Sequence, residues 1–331
     1  MTNRPFGATV RDFSKTTAAR EFLKSKFRFD AIPRPNLSPI ETDVNIPPNL
    51  LGATFDYLLL LLIERCNPDF VFQVSFSDKF KDGRSKLGRA LKDYFQTGTL
   101  SDLLVDELIS YGEAHQKSFQ KPLQRNKLII SDSLRSELRR MHQLAAKIDW
   151  HVKGSFHQGW LTGGHFMNAR PDLILDNRLL EVKAVKDAKH HDEYLAQLFS
   201  YYLMSPSSLE RHLMSIDNLD EVGLYYARHG ALINCKITDA VRFPLAHLKR
   251  IDFDFQVEFQ YWRGGVHPLQ TNLQLSTKEL EQRRWMLFNE ALSNVRPKPD
   301  WLKKALEKRF RVTKQGFVPR QIKIPMDFLI G

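Results

Sequence analysis

The stretch Ala169-Arg170-Pro171-Asp172-Leu173-Ile174-Leu175, then Asp176-Asn177-Arg178, then Leu179-Leu180-Glu181-Val182-Lys183-Ala184 decides how the chain reads. Two short apolar runs flank a polar turn, which is the pattern of a β-hairpin. Side chains alternate along a strand, so Glu181 and Lys183 share one face and Val182 points the other way, into the core. Asp172 sits on the partner strand, where its carboxylate can stand beside Glu181. Two carboxylates and one ammonium thus converge at the mouth of a small sheet. Each piece alone has a plainer reading, since Pro-Asp is commonly a turn and Glu-x-Lys commonly a solvated strand face. Together they suit phosphodiester hydrolysis. Hard divalent cations such as Mg2+ or Mn2+ take oxygen ligands and keep water positions open. Such a cation lowers the pKa of a bound water and neutralises charge on the phosphate. A lysine alongside can orient or deprotonate the attacking water and hold the scissile phosphate.

The next helical segment sharpens this. Glu193 to Met204 has helical spacing, with Leu195, Leu198 or Phe199, and Tyr202 on one side. Within it, Gln197-Leu198-Phe199-Ser200-Tyr201 places Gln197 and Tyr201 four apart, on one helical face. The helix follows Lys183 after a short loop and can pack on the sheet beside the hairpin. An acidic Pro-Asp strand, an acidic-x-Lys strand and then Gln-x-x-x-Tyr, in that order, resemble the PD-(D/E)xK nuclease superfamily and, within it, the RecB-like exonuclease group. The resemblance implies a restriction-endonuclease-like α/β core, a central mixed sheet with an antiparallel hairpin flanked by helices. It implies that Asp172 and Glu181 are metal ligands, with the main-chain carbonyl of Val182 as a further ligand. Lys183 would be the catalytic lysine, and Gln197 and Tyr201 would line the site and touch the nucleic-acid backbone.

RecB-like nucleases also carry an upstream Gly-x-x-x-His whose histidine binds metal. Gly52-Ala53-Thr54-Phe55-Asp56 looks like that motif with Asp in place of His. Aspartate is a competent ligand for Mg2+ or Mn2+. Glu64 is the competing acid, but it lies about 12 Å further along a helix, so the two cannot share one metal. Asp56 is favoured. The plain alternative is a polar residue near a helix start, where the dipole favours a negative charge.

Around this centre the chain divides into three parts. Residues 1–48 read as an extended arm, punctuated by Pro33, Pro35, Pro39, Pro47 and Pro48. Residues 49–260 read as the nuclease core, with a helical basic insert at about 70–148. A helix is expected to start near Asn49, carry Leu51 to Glu64 and end at Asn67-Pro68. Ser101 reads as the N-cap of a helix from Asp102 to about Lys117, and Ser133 to Lys147 as another helix. Trp150 to Trp160 is read as a strand, and Val222 to Ala227 with Ala231 to Ile237 as a second hairpin around Arg228-His229-Gly230. Residues 261–331 read as a helical and basic extension, with a helix near Ser276 to Asn294. From Arg296 to Gly331 ten Lys/Arg face three Asp/Glu.

The formal net charge is +11 over 331 residues, which favours a polyanionic partner, nucleic acid first and an anionic membrane surface second. Basic stretches at 79–92, 117–153 and 296–323 are expected to include phosphate contacts. Trp160, Trp262, Trp285 and Trp301 are candidates for base stacking, although tryptophan is more often core. Cys66 and Cys235 are too few for a four-cysteine iron–sulfur cluster or a disulfide framework. Met1 to Lys15 is polar, and the longest apolar run, Leu58 to Ile63, is too short to span a bilayer, so an intracellular, reducing, cytoplasmic setting is expected. His151, His157, His165 and the pair His190-His191 lack zinc-hydrolase spacing and read as surface or backbone-contacting residues. No phosphate-binding loop and no Gly-x-Ser-x-Gly occur, so neither an NTPase nor a serine hydrolase is indicated. The resulting expectation is a Mg2+- or Mn2+-dependent deoxyribonuclease, working in DNA repair or anti-phage defence beside a separate helicase or ATPase. The alternatives are a non-catalytic nucleic-acid-binding protein of the same fold and a ribonuclease, whose substrate the basic surface fits equally well.

Overall fold

The computed structural model describes residues 10–40, 46–70, 86–117, 131–154, 171–209 and 219–248, with short pieces at 156–157, 161–163, 167–169, 251–252, 254–255, 310–313 and 316–319. The expected helix at 276–294, the basic stretch at 79–85, His165 and Trp160, Trp262, Trp285 and Trp301 lie outside the described residues.

The hairpin forms as its sequence dictates. β4 (Leu173–Leu175) and β5 (Arg178–Lys183) pair antiparallel, with Leu173 opposite Leu180. Asp176 takes a positive φ of 53° in the turn, a conformation that aspartate tolerates better than most residues. Its carboxylate then accepts hydrogen bonds from the backbone N–H groups of Lys153 and Gly154. The chain leaves β5, runs through α7 (His191–Leu209) and returns in β6 (Glu221–Tyr226), parallel to β5. A parallel neighbour needs such a crossover. β7 (Ala231–Lys236) closes the second hairpin against β6, as its sequence predicts.

One five-stranded mixed sheet results, in the order β1-β4-β5-β6-β7, where β1 (Phe156–His157) is a two-residue edge piece. The long strand expected at 150–160 is therefore not formed: residues 150–154 are irregular. Trp150 is instead a core residue, 1 % exposed, its indole donating to the Ala145 carbonyl at 2.8 Å and its ring meeting Tyr225 edge-on. Two small hairpins stand apart from this sheet, β2 (Leu161–Gly163) with β3 (Met167–Ala169), and β8 (Phe310–Thr313) with β9 (Gly316–Pro319). The last lies in the C-terminal extension expected to be helical.

Alternation sorts the sheet's side chains into two cores. Ile174, Leu179, Val222, Leu224 and Tyr226 pack with α7 and with α1 (Val10–Ser14) and α2 (Thr17–Lys26). Leu173, Leu175, Leu180, Val182, Tyr225 and Ala227 pack on the opposite face with α3 (Pro48–Cys66), α4 (Lys86–Thr97), α5 (Asp102–Lys117) and α6 (Asp132–Ala145). The extended arm is thus a correction: residues 10–26 are largely helical. Val10 and Phe13 are 1 % exposed and Leu23 and Phe27 are fully buried. The prolines were a fair signal only for the later stretch, where residues 33–40 are irregular.

The helical layer on the other face is built around α3. Leu58 to Ile63 are apolar all round and buried all round, as a central helix requires. Gly112 of α5 is needed where the two helices touch, because a Cβ there would come within 2.4 Å of Thr54 Oγ1. Ser101 caps α5 as expected, accepting from the N–H of Leu104. α6 is tied to its neighbours by arginines. Arg135 grips Asp106 and Asp132, Arg139 binds Asp102, and Arg140 and Arg228 share Glu137. Three cations expected among phosphate contacts are therefore already engaged within the chain.

Candidate active site

Alternation along β5 puts Glu181 and Lys183 on the α7 side of the sheet, the side that Leu179 also faces. Parallel pairing sets Lys183 beside Tyr226 and Glu181 beside Leu224. Val182 packs in the opposite core, as read from the sequence.

Asp172 falls one residue before β4, in a bend. Its Oδ2 accepts the backbone N–H of Val182 at 2.7 Å, so the carboxylate takes over where the β4–β5 ladder stops. The N–H and C=O of a strand residue point to the same edge. Val182 therefore turns its carbonyl toward the side on which Asp172 stands.

Lys183 is the hub. Its Nζ donates to Glu181 Oε1 at 2.5 Å and to Gln197 Oε1 at 3.1 Å. Gln197 in turn donates through Nε2 to the Tyr201 hydroxyl at 2.8 Å. All four are buried, between 2 and 8 % exposed. A charge taken this far from water must be paired and hydrogen-bonded, and each ion here supplies the other's countercharge. The helix spacing does the rest: Gln197 and Tyr201 sit one turn apart on the face of α7 that overlies Lys183. Side chains from β5 and α7 thus meet in one polar cluster, and Asp172 is tied to the same strand through the Val182 N–H.

The upstream acids sit differently. Gly52 lies at the end of α3 that meets the sheet after Lys183, its missing Cβ 3.9 Å from that of Ala184. Asp56 is one turn beyond Gly52 and half-buried, whereas Glu64 lies about 18 Å from Gly52 along the helix. Of the two, Asp56 is at the near end. Among the described residues, however, no three His, Cys, Asp or Glu side chains gather as a metal-binding group, so Asp56, Asp172 and Glu181 do not form one. The donors the hairpin does offer are two carboxylates and the Val182 carbonyl. All are oxygens, and that chemistry fits Mg2+ or Mn2+.

Three contributors were not foreseen. Tyr194 presents its ring to Lys183, with Nζ 5.1 Å from the centroid. Tyr226 packs edge-on to Tyr194, the ring centroids 6.3 Å apart. His191, read as a surface or backbone-contacting residue, does contact backbone but is 2 % exposed. Its Nε2 donates to the Ile32 carbonyl at 2.9 Å, which leaves Nδ1 to accept the Tyr226 hydroxyl at 2.6 Å. Burial holds the His191 imidazole below its ordinary pKa and pushes the Tyr226 phenol up, so both stay neutral. A signal for Tyr194 existed in its place three residues before Gln197. His191 and Tyr226 had none, because their partners are remote in sequence.

Set against protein-family models, curated proteins and solved structures, the chain finds no match. No helix among the described residues is long and apolar enough to cross a membrane.

Proposed function

We propose that this protein is a metal-dependent nuclease that hydrolyses DNA phosphodiester bonds, of the PD-(D/E)xK type and RecB-like in its helix motif. The observation that carries the reading is the buried Glu181–Lys183–Gln197–Tyr201 chain, with Asp172 alongside through Val182. A buried lysine held by a carboxylate and an amide needs a purpose, since a well-packed apolar pair would serve stability as well.

Asp172, Glu181 and the Val182 carbonyl would hold Mg2+ or Mn2+, with Asp56 the upstream candidate. When bound, the cation supplies Lewis-acid activation of water and neutralises charge on the phosphate. Lys183 directs its one remaining Nζ proton at the attacking water or at a non-bridging phosphate oxygen. Gln197 fixes the direction of that ammonium, and Tyr201 fixes Gln197. The net charge of +11 supports a polyanionic substrate.

The test is cleavage of plasmid, linear duplex, single-stranded DNA and RNA in Mg2+, Mn2+ or EDTA. Asp172→Asn and the double variant Glu181→Gln/Lys183→Gln are run beside the wild type. Metal-dependent DNA cleavage that both variants lose is expected. Cleavage that persists in EDTA, or in both variants, removes the proposal. Cleavage of RNA alone makes the protein a ribonuclease, and binding without cleavage makes it a non-catalytic nucleic-acid-binding protein.

A further inference from the structure

We infer that Tyr194 is a positioning residue for the Lys183 ammonium, held in place by a Tyr226–His191–Ile32 buttress that reaches into the N-terminal segment; the catalytic meaning of this rests on the nuclease reading. An ammonium has three donors. Two on Lys183 are directed, to Glu181 and to Gln197. Two bonds leave the group able to pivot about the line joining its acceptors. The Tyr194 ring limits that pivot, because its centroid is 5.1 Å from Nζ and a ring face at that distance attracts a cation.

The ring is itself supported. Tyr194, Gln197 and Tyr201 occupy one stripe of α7, at i, i+3 and i+7. Tyr226 lies beside Lys183 in the neighbouring strand and meets the Tyr194 ring edge-on, 6.3 Å between centroids. Tyr226 is fully buried and its hydroxyl is anchored by His191, whose ring stacks on it 6.2 Å away. His191 is anchored in turn by the Ile32 carbonyl. Ile32 has no exposure and belongs to the core that α1, α2 and α7 share. Lys24 and Arg34 add ion pairs to Asp192 in the first turn of α7. The N-terminal segment therefore braces the α7 turn that carries Tyr194.

The experiment labels lysine at 13Cε in the full chain and assigns the Lys183 signal as the one lost in Lys183→Arg. In the wild type, Lys183 Hε should lie upfield of other lysines and show a nuclear Overhauser effect to the Tyr194 ring protons. Tyr194→Phe should keep the upfield position, and Tyr194→Leu should lose it while the other lysine signals stay in place. In cleavage assays, kcat should fall about 10- to 100-fold in Tyr194→Leu with little change in KM, and recover in Tyr194→Phe. Absence of the Overhauser effect in the wild type overturns the assignment, even if Tyr194→Leu does not fold. A Tyr194→Leu enzyme that cleaves at the wild-type rate overturns it too, and leaves the nuclease reading intact. A wild type that passes the spectroscopic test but cleaves no nucleic acid removes the nuclease reading and leaves Tyr194 assigned to Lys183.

Discussion

Lys183 and Gln197, fourteen residues apart in sequence, meet through an Nζ–Oε1 hydrogen bond of 3.1 Å beneath α7. This contact couples the hairpin to the crossover helix, and it makes Glu181, Lys183 and Gln197 one unit whose members cannot be changed singly without leaving a buried group unsatisfied.

The ion pair gives a stability prediction. Lys183→Met leaves Glu181 as a charge that is 2 % exposed, and should destabilise the fold by about 3–5 kcal/mol. Adding Glu181→Gln to Lys183→Met should restore most of that loss, as a double-mutant cycle in urea would measure. Additive losses would mean that the two charges do not depend on each other.

Asp172 separates structure from chemistry. Asp172→Asn keeps an oxygen to accept the Val182 N–H, so its melting temperature should stay near the wild type. Asp172→Ala leaves that N–H without its partner and should cost about 1–3 kcal/mol. Both should lose nuclease activity, because both lack the carboxylate charge. Equal thermal stability of the Asn and Ala variants would remove the ladder-capping role.

Asn67 makes a third case. Its side chain donates to the carbonyls of Ile63 and Trp150 and accepts the N–H of Val152, all in a site 7 % exposed. It joins the end of α3 to the segment that leads into the sheet. Asn67→Ala should destabilise by about 2–4 kcal/mol, more than one ordinary hydrogen bond contributes, since three backbone groups lose a partner together. Asn67→Asp should cost at least as much as Asn67→Ala, because it sets a buried carboxylate against the Ile63 and Trp150 carbonyls. Equilibrium denaturation of the three proteins checks the order.

His142 sets a pH window. Burial, helped by the nearby Arg65 charge, pushes its pKa from 6.5 down to about 4, and its Nε2 shares a hydrogen bond of 2.9 Å with the Tyr94 hydroxyl. The folded pKa is depressed, so above pH 6.5 the imidazole is neutral in both states and stability is complete. As pH falls, the unfolded chain takes up the proton first. The loss should grow to on the order of 3 kcal/mol by pH 4 and then level off. His142→Gln retains a hydrogen-bonding group for Tyr94 and does not titrate, so its stability should fall less between pH 7 and pH 4.5. Parallel curves for the two proteins would contradict this.

Sequence alone determined the local pieces. The β4–β5 hairpin, the second hairpin and the helices from Pro48, Asp102 and Asp132 follow from alternation, helical spacing, turn residues and caps, which act over a few residues. The same short-range logic singled out Asp172, Glu181, Lys183, Gln197 and Tyr201. It misread the first residues as an extended arm, because α1 and α2 are short and are held by packing on α7, a contact remote in sequence. It also gave Trp150 to a strand, although the indole is held by Ala145 and Tyr225 from other elements.

Only the tertiary structure decided which groups meet. The parallel register of β5 with β6 brings Tyr226 to Lys183, and the packing of α7 brings Gln197 and Tyr194 over it. It also placed Gly52 and Asp56, rather than Glu64, at the end of α3 nearest the hairpin. Pairing between segments far apart in the chain depends on which apolar faces bury one another. That is a property of the whole core, which no local run of residues encodes.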